Sequence, residues 1–423
     1  MVSIGPGARE TGSKKRLSTG APRQASSGTP RLTKPSAKAL DAELARVVTA
    51  LEEGIARRDL SAFYQTFRAT HLPSIVEFYT RDPRGLARAC FKILHSIGSV
   101  SPAAGVAIEN HYYVLTTLTT LPIRDNPELA ARRQALLRTV VRERLLVANT
   151  SFRVHGDKVA SYGSQARREG DGYRVDGAGA FMSLAGEGDL LFFVVAVDGT
   201  EPAYFLTPLR NNPSIEIGPL VFPQAMVDSD TRRIAMHDHY LAAGDLLVKG
   251  KNEETSRLTS LQFGWHQALL PALFLGAAAR AIEEARKFLR AVKGPNDRPL
   301  AELDGTWTDV GRMVIRYRAA CAIAHQAGER LEMLARRDPK PSEIADAVDL
   351  ACAAKRTAAQ TAEEIVAEAR RIIGPRVFTG GHPLERISAE VVFAPLVGEP
   401  LAVIDRRYGR LVLGENDFTA RRW

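Results

Sequence analysis

Hydrophobic residues recur with two different periods along the chain, and the change of period divides the sequence into three parts. In the first third, apolar positions return on one face of each helical turn, which predicts amphipathic helices. From Leu146 to about Val248, short apolar runs are separated by Gly, Asp, Asn and Pro, which is typical of strands. The helical period returns from Ser256 onward. The order of helices, strands and helices narrows the choice of fold.

The same pattern predicts the individual elements. Helices are predicted at residues 37–57, 59–80, 84–97, 103–121 and 127–146. Strands are predicted at Tyr173–Val175, Leu190–Val197, Ala203–Leu209, Ser214–Ile217 and Arg232–His237. Long helices are predicted at Leu261–Val292, Thr308–Arg337 and Ser342–Ile373, followed by a shorter last helix.

These elements predict an α+β fold with three domains. An N-terminal helical domain (36–146) precedes a middle β-barrel or β-sandwich domain (147–250). A C-terminal domain (251–423) is predicted to be a four-helix bundle, because its long helices are separated by short Pro- and Gly-containing breaks. Residues 1–35 form a separate basic tail, predicted to be disordered.

Charge and composition exclude several classes of function. The formal net charge is +9, but the tail contributes +6 of it through seven Lys or Arg and one Glu. The tail has no aromatic residues and is rich in Gly, Ser, Pro and Thr, so no specific nucleic-acid partner is expected. Three widely spaced cysteines indicate a reduced, cytoplasmic protein. The longest apolar stretch, residues 268–279, is too short to span a membrane.

One segment in the strand region is the most informative in the chain. Gly172–Phe193 reads GYRVDGAGAFMSLAGEGDLLFF, which predicts two strands around a Gly-rich corner. Its first half resembles the middle domain of the acyl-CoA dehydrogenase superfamily. TSFRVHGD (Thr150–Asp157), the helical LGAAARAIEEARKFL and GGHPLERI (Gly380–Ile387) resemble further motifs of that superfamily, in the same order. The resemblance covers about residues 37–405 and includes the superfamily's flavin-dependent monooxygenase branch.

The resemblance implies a flavin site and a candidate set of cofactor contacts. The cofactor would be FAD, or FMN if the protein is a monooxygenase. The flavin ring would contact Thr150 and Ser151 in the first loop, and Phe181, Met182 and Ser183 in the second. Ser183 would lie near the flavin N5 atom. The alternative is that the second segment is a purely structural hairpin.

The catalytic base is less clearly indicated. Many members of the superfamily carry a glutamate at the position that corresponds to Gly398, and Glu399 follows one residue later. Other members carry the base at the start of the long helix, where His266 lies beside Trp265. Glu399 and His266 are therefore the candidate bases. The substrate pocket would involve His111, Tyr112 and Trp265, with core packing as the alternative for both histidines.

Two functions follow from the resemblance, and a third is kept open. The first is an FAD oxidoreductase that oxidises an acyl thioester, on CoA or a carrier protein, at Cα–Cβ with hydride transfer to the flavin. The alternative is a two-component monooxygenase, which uses reduced flavin and O2 for C- or N-hydroxylation and lacks the glutamate. The third is a flavin-free binding protein. A flavin reductase or an electron-transfer protein would be a partner, and a homodimer or homotetramer is expected.

A metal site is not expected from the sequence. His237 and His239 are separated by one residue, so on a regular strand they could share a face. No third ligand accompanies them in the pattern. We therefore predict no metal.

Overall fold

The fold was analysed in a computed structural model, which describes residues 34–123, 126–151, 164–199, 201–294 and 297–413. Five helices form the N-terminal part: α1 (Ala37–Arg57), α2 (Ser61–Arg68), α3 (Leu86–Gly98), α4 (Pro102–Thr120) and α5 (Pro127–Glu143). The helix predicted at 59–80 is wrong in its second half. Pro73 interrupts it, since proline lacks the N–H that a continuing helix needs, and a 3-10 helix (Ile75–Tyr79) follows.

The middle part contains eight strands among its described residues. They are β1 (Val147–Ser151), β2 (Gln165–Glu169), β3 (Gly172–Met182), β4 (Leu190–Val197), β5 (Glu201–Pro208), β6 (Ile215–Leu220), β7 (Arg232–Leu241) and β8 (Leu246–Lys249). They form one sheet in the order β6-β7-β3-β2-β4-β5-β8, and β1 pairs in parallel with β4. The two strands predicted around the Gly-rich corner are β3 and β4. They do not form a hairpin, because β2 lies between them.

Five helices form the C-terminal part: α6 (Glu253–Ala291), α7 (Asp304–Leu334), α8 (Pro341–Ile373), α9 (Pro383–Val391) and α10 (Leu401–Val412). The predicted fold class is confirmed: helices, a middle sheet region and a C-terminal helical bundle follow one another. Helix α6 packs against α3, α4, α7 and α8. It begins at the N-cap Asn252, whose side chain accepts a hydrogen bond from the Thr255 N–H. None of the helices in the described part of the chain is long and apolar enough to cross a membrane.

Helices α3 and α6 approach closely through glycine. A Cβ at Gly276 would lie 2.1 Å from the backbone oxygen of His95, a distance that real Cβ atoms do not tolerate. The close approach seats α6 against the N-terminal helices, and it holds α6 beside α4, where the candidate site lies.

We expect Gly276→Ala to lower the free energy of unfolding by about 1–3 kcal/mol, because the added methyl group overpacks the α3–α6 contact. Gly409→Ala is a matched control within α10, since a Cβ there meets nothing within 4 Å. That variant should raise stability by about 0.5–1 kcal/mol through the helix propensity of alanine. Urea unfolding of both variants measures the difference, and equal stabilities would contradict the close packing.

Candidate active site

The structure brings together the two segments that the sequence predicted as flavin contacts. Strand β1 ends at Ser151 and strand β3 ends at Met182, and Asn149 forms an antiparallel bridge with Ser183. Thr150 is the residue after the bridge on β1, in register with Phe193 of β4. The Ser151 side chain and the rest of the TSFRVHGD segment lie outside the described residues.

The chemistry of these residues fits a flat, mostly apolar cofactor. Phe181 is 45% exposed although it is a large aromatic residue, and Met182 is fully buried behind it. The Thr150 hydroxyl is buried and finds no hydrogen-bond partner among the described residues. A buried hydroxyl without a partner costs about 1–3 kcal/mol, so it indicates a group that a ligand could satisfy. An exposed aromatic ring and a buried hydroxyl without a partner, on two segments joined by the bridge between Asn149 and Ser183, are features that an isoalloxazine site can use.

We expect Thr150→Val to leave the free energy of unfolding unchanged or to raise it by up to about 1 kcal/mol, because it removes an unsatisfied hydroxyl and keeps the side-chain shape. The same change should weaken FMN binding about threefold to tenfold, the contribution of one hydrogen bond. Fluorescence titration with FMN and thermal unfolding measure the two effects. Thr361→Val, at a buried threonine of α8, is the control. A loss of stability with unchanged FMN affinity would make Thr150 a structural residue.

An aromatic line connects Phe181 to the C-terminal helices. Phe181 stacks on Phe222 with ring centroids 6.0 Å apart, and Phe222 meets Phe393 edge-on at 5.2 Å. Phe222 and Phe393 pack against the apolar cluster that contains Leu270 of α6. The line therefore joins the end of β3 to the segment that follows α9 and leads to Gly398.

Gly398, the position at which the sequence resemblance predicts a glutamate in many members of the superfamily, lies against α6. Its φ is +71°, in the left-handed region that favours glycine. A Cβ at Gly398 would lie 2.7 Å from Leu270 Cδ1, and 3.2 Å from Nε2 of His266. A side chain at this position would therefore require the end of the Leu270 side chain to move. Besides Leu270, the side chains that face the position are those of Gln267, with Nε2 3.1 Å from the Cβ, and His266.

His266 is held by a buried carboxylate. Its Nδ1 atom lies 3.0 and 3.1 Å from the two carboxylate oxygens of Glu109 on α4. The Glu109 side chain is fully buried, whereas that of His266 is 23% exposed. Burial raises the pKa of Glu109, and the adjacent His266 opposes that shift. Because an ionised carboxylate only accepts, Nδ1–H donates to Glu109, and the lone pair of His266 lies at Nε2 on the side of Gly398.

Glu399 lies next in sequence but has other neighbours. Its backbone oxygen accepts a hydrogen bond from Lys355 Nζ at 2.7 Å, and the Pro395 oxygen accepts another at 3.3 Å. Burial lowers the pKa of Lys355 to about 8, and the nearby Glu399 charge opposes that shift. The Glu399 charge also contributes to the raised pKa of the Cys352 thiol on α8. These neighbours place the Glu399 carboxylate in the electrostatic environment of Lys355.

The three predicted pocket residues have the contacts of core residues. His111 Nε2 donates to the Pro73 oxygen at 2.8 Å, and Nδ1 accepts from the Val147 N–H at 3.1 Å. Burial lowers the pKa of His111 to about 4. The Tyr112 hydroxyl donates to the Leu72 oxygen, and Trp265 Nε1 donates to Thr120 Oγ1. These contacts are typical of core packing, which was the alternative to a role in the substrate pocket. The pocket role of these residues stays a prediction.

The two histidines considered for metal binding lie in different environments. Asp238 between them has a φ of +47°, and strand β7 shifts register against β3 at this point. His237 is therefore exposed, whereas His239 is buried and bonded to the Ser214 hydroxyl at 2.7 Å. Within the described ranges, no group of three or more His, Cys, Asp or Glu is placed to hold a metal ion.

Sequence reasoning did not find Glu109, which is the only carboxylate hydrogen-bonded to His266 in the described part of the chain. One signal was available: Glu109 is the single charged residue in the predicted helix 103–121, which is otherwise mostly apolar. A buried charge needs a partner, so this residue was a candidate for pairing. Nothing in the local sequence indicated that the partner would come from a helix 157 positions away.

Comparisons with known proteins agree with the fold. Residues 257–397 match the family described as acyl-CoA dehydrogenase, C-terminal domain. A comparison with curated protein sequences finds no match. The FMN-bound structure of TdsC from Paenibacillus sp. A11-2, a dibenzothiophene monooxygenase, is similar with a TM-score of 0.75 and 17% identity over 90% of this chain and 99% of TdsC.

Two further solved structures, of differently named proteins, are similar to this chain. KijD3, in complex with FMN and a dTDP-linked amino-keto sugar, has a TM-score of 0.76 and 18% identity over 91% of this chain and 95% of its own. Butyryl-CoA dehydrogenase from Megasphaera elsdenii has a TM-score of 0.71 and 14% identity over 90% of this chain and 100% of its own. At these identities the similarity establishes the fold. The resemblance predicted from the sequence is confirmed: the chain has the acyl-CoA dehydrogenase fold, and its residues 257–397 match the model of that family's C-terminal domain.

Proposed function

We propose that the protein is a flavin-dependent monooxygenase that receives reduced flavin from a separate reductase and transfers one oxygen atom of O2 to a small-molecule substrate. One observation carries this proposal. Gly398, which falls where many dehydrogenases of the superfamily carry a glutamate, has no side chain, and a Cβ there would lie 2.7 Å from Leu270 Cδ1. Among the side chains that face this position, that of His266 is hydrogen-bonded to a buried carboxylate. The observation supports a site that moves a proton at an imidazole rather than at a carboxylate.

The chain's own residues would orient the flavin and handle the proton. When bound, the reduced flavin supplies two electrons and activates O2, so that one oxygen atom enters the substrate and the other leaves as water. Thr150, Phe181 and Ser183 would hold the ring. His266 Nε2 would accept a proton from the substrate O–H, N–H or C–H group, and ionised Glu109 would stabilise the resulting imidazolium. The small exposed fraction of His266 limits competition from water.

FMN is the cofactor that we propose first. TdsC and KijD3 are each known in complex with FMN, and they share the fold over nine-tenths of this chain. FAD is the alternative, as expected for the dehydrogenase branch. The residues that we propose as flavin contacts would contact the isoalloxazine ring, which both cofactors share, so they support either one.

The proposal is tested by supplying the protein with reduced FMN. Photoreduced FMN and the protein are mixed with ¹⁸O2 and a panel of small probes, beginning with indole, because TdsC is known in complex with it. Mass spectrometry should detect a product that gains one ¹⁸O atom in the presence of the protein and not with heat-denatured protein. If no probe is oxygenated and FAD that copurifies is bleached by an acyl-CoA under anaerobic conditions, the proposal fails.

A dehydrogenase acting on acyl thioesters is the second candidate. It is favoured by the burial of Glu399 directly after Gly398, which would suit a base displaced by one residue. In that case Glu399→Gln should abolish bleaching of bound FAD by acyl-CoA. Glu385→Gln, an exposed glutamate of α9, should leave bleaching unchanged. Bleaching that survives Glu399→Gln would exclude Glu399 as the base.

We also propose that the protein forms a homo-oligomer through its C-terminal helices. Helix α7 exposes Trp307 and Ile315, which are 61% and 70% accessible. Large exposed apolar side chains on one element are typical of a surface that another protein covers. Light scattering during size-exclusion chromatography should give a dimer or tetramer. A monomer of 46.2 kDa at micromolar concentration would contradict this.

A further inference from the structure

The hydroxyl of Ser183 belongs to a chain of three buried hydroxyl groups. Ser183 Oγ lies 2.8 Å from Thr231 Oγ1, and Thr231 Oγ1 lies 2.7 Å from Ser229 Oγ. Ser229 Oγ in turn donates to the backbone oxygen of Met226 at 2.6 Å. The three side chains are 7%, 4% and 1% exposed, so bulk water does not compete for these hydrogen bonds.

The direction of every hydrogen bond among the three hydroxyl groups follows from the last of them, that of Ser229. A carbonyl oxygen only accepts, so the single hydroxyl proton of Ser229 points to Met226. Ser229 must therefore accept from Thr231, which uses the only proton of Thr231. Thr231 must then accept from Ser183, which uses the proton of Ser183. Ser183 can therefore only accept a hydrogen bond from any further partner, because its single proton is already donated to Thr231.

We propose that this hydroxyl chain makes Ser183 a hydrogen-bond acceptor toward the bound isoalloxazine and thereby favours the reduced, N5-protonated flavin over the oxidised form. The inference rests on the proposed function, since it takes Ser183 as a contact of the flavin N5 atom. Reduced flavin carries an N–H at N5, which Ser183 can accept. Oxidised flavin carries only a lone pair there, which would face the lone pairs of Ser183, so no hydrogen bond forms.

Two of the three residues of the hydroxyl chain, Thr231 and Ser229, were not among the site residues predicted from the sequence. Thr231 and Ser229 lie in the segment between β6 and β7, which also bonds the end of β3 through its backbone: the Leu184 N–H donates to the Ser229 oxygen at 3.0 Å. The segment is thus fixed to the predicted flavin contact by both side-chain and backbone hydrogen bonds. The orientation of the Ser183 hydroxyl is set by the protein before a flavin binds.

The test compares the affinity for both redox states of one flavin. Dissociation constants of oxidised FMN and of dithionite-reduced FMN are measured anaerobically with the full chain, and the same pair is measured with FAD. We expect reduced flavin to bind at least about tenfold more tightly. By linkage, this ratio raises the potential of the bound flavin by about 30 mV relative to free flavin. Equal affinities, or tighter binding of oxidised flavin, would overturn the inference.

Variants at Thr231 distinguish the hydroxyl chain from other causes. Thr231→Ser keeps the hydroxyl and should keep the affinity ratio within about twofold of the wild-type value, whereas Thr231→Val removes the acceptor of the Ser183 proton. The valine variant should then lower the ratio about fivefold or more, because Ser183 becomes free to donate. Ser229→Ala is a second variant with the same expected direction, should the valine variant not fold. An unchanged ratio in a folded variant refutes the hydroxyl chain while leaving the proposed function intact, and failure to bind either redox state refutes both.

Discussion

We expect His266→Ala to lower the free energy of unfolding by about 3–5 kcal/mol at pH 8, because it leaves the fully buried Glu109 carboxylate without its partner. The loss should depend on pH. Burial raises the pKa of Glu109 above its ordinary value of 4.5, and His266 opposes that shift, so removing His266 raises the pKa further. Below about pH 4.5 the carboxyl group is neutral in both states, and the variant loses only the packing of the ring. As the pH rises above that value, the cost of the unpaired charge appears.

A double variant separates the charge from the packing. His266→Ala combined with Glu109→Gln should recover most of the loss at pH 8, because the amide is neutral. His237→Ala, at an exposed histidine paired with Glu216, should change stability by less than about 0.5 kcal/mol. Chemical unfolding at pH 5 and pH 8 measures all variants. If His266→Ala costs the same at both values and Glu109→Gln rescues nothing, the two residues do not form the coupled pair on which the proposed proton transfer depends.

We expect Glu390→Gln to become more stable than the wild type as the pH rises from 5 to 8. Glu390 on α9 accepts hydrogen bonds from the Ser101 hydroxyl at 2.9 Å and from the Ala103 N–H at 3.0 Å, where α4 begins. Burial raises its pKa to about 7; the neighbouring Asp228 charge adds to that shift, and Arg386 opposes it. A carboxyl group with a raised pKa stabilises the fold below about pH 4.5, and this contribution is lost as the pH rises through about 7.

The glutamine variant keeps the acceptor oxygen and has no proton to lose, so the difference between variant and wild type should grow by roughly 3 kcal/mol over this range. Thermal unfolding at several pH values measures it. Glu385→Gln, an exposed position on the same helix, serves as the control and should give a flat difference. If the difference in stability between Glu390→Gln and the wild type stays constant or falls as the pH rises, the Glu390 carboxyl group is ionised in the folded protein over the whole range.

The spacing of hydrophobic residues predicted most of the helices and strands, because most of these elements bury one face. Helix α1 begins and ends at the predicted residues, and so does strand β4, whose side chains are almost all buried. The pattern missed β2, whose sequence QARRE is polar and mostly exposed, and β8, which has four residues. Strand β2 is held by its neighbours in the sheet rather than by an apolar face of its own, and β8 is too short for a period to show.

The candidate site was predictable only in part. Thr150, Phe181 and Ser183 carry a motif, and the bridge between Asn149 and Ser183 brings their segments together as expected. The partners of these residues depend on contacts between distant parts of the chain. Glu109 meets His266 only where α4 packs against α6, and Thr231 meets Ser183 only through the pairing of β3 with β7. Such contacts follow from the tertiary structure and leave no pattern in a single sequence.

The most direct test of the account is an anaerobic titration of the FAD-loaded protein with acyl-CoA substrates of short and medium chain length, followed by its visible spectrum. Because Gly398 carries no carboxylate and the Glu399 charge lies in the environment of Lys355, we expect neither position to remove the α-proton of an acyl thioester. We predict that the flavin absorbance stays unchanged with every acyl-CoA and falls normally with dithionite. Bleaching of the flavin by any acyl-CoA would contradict the account and establish a dehydrogenase.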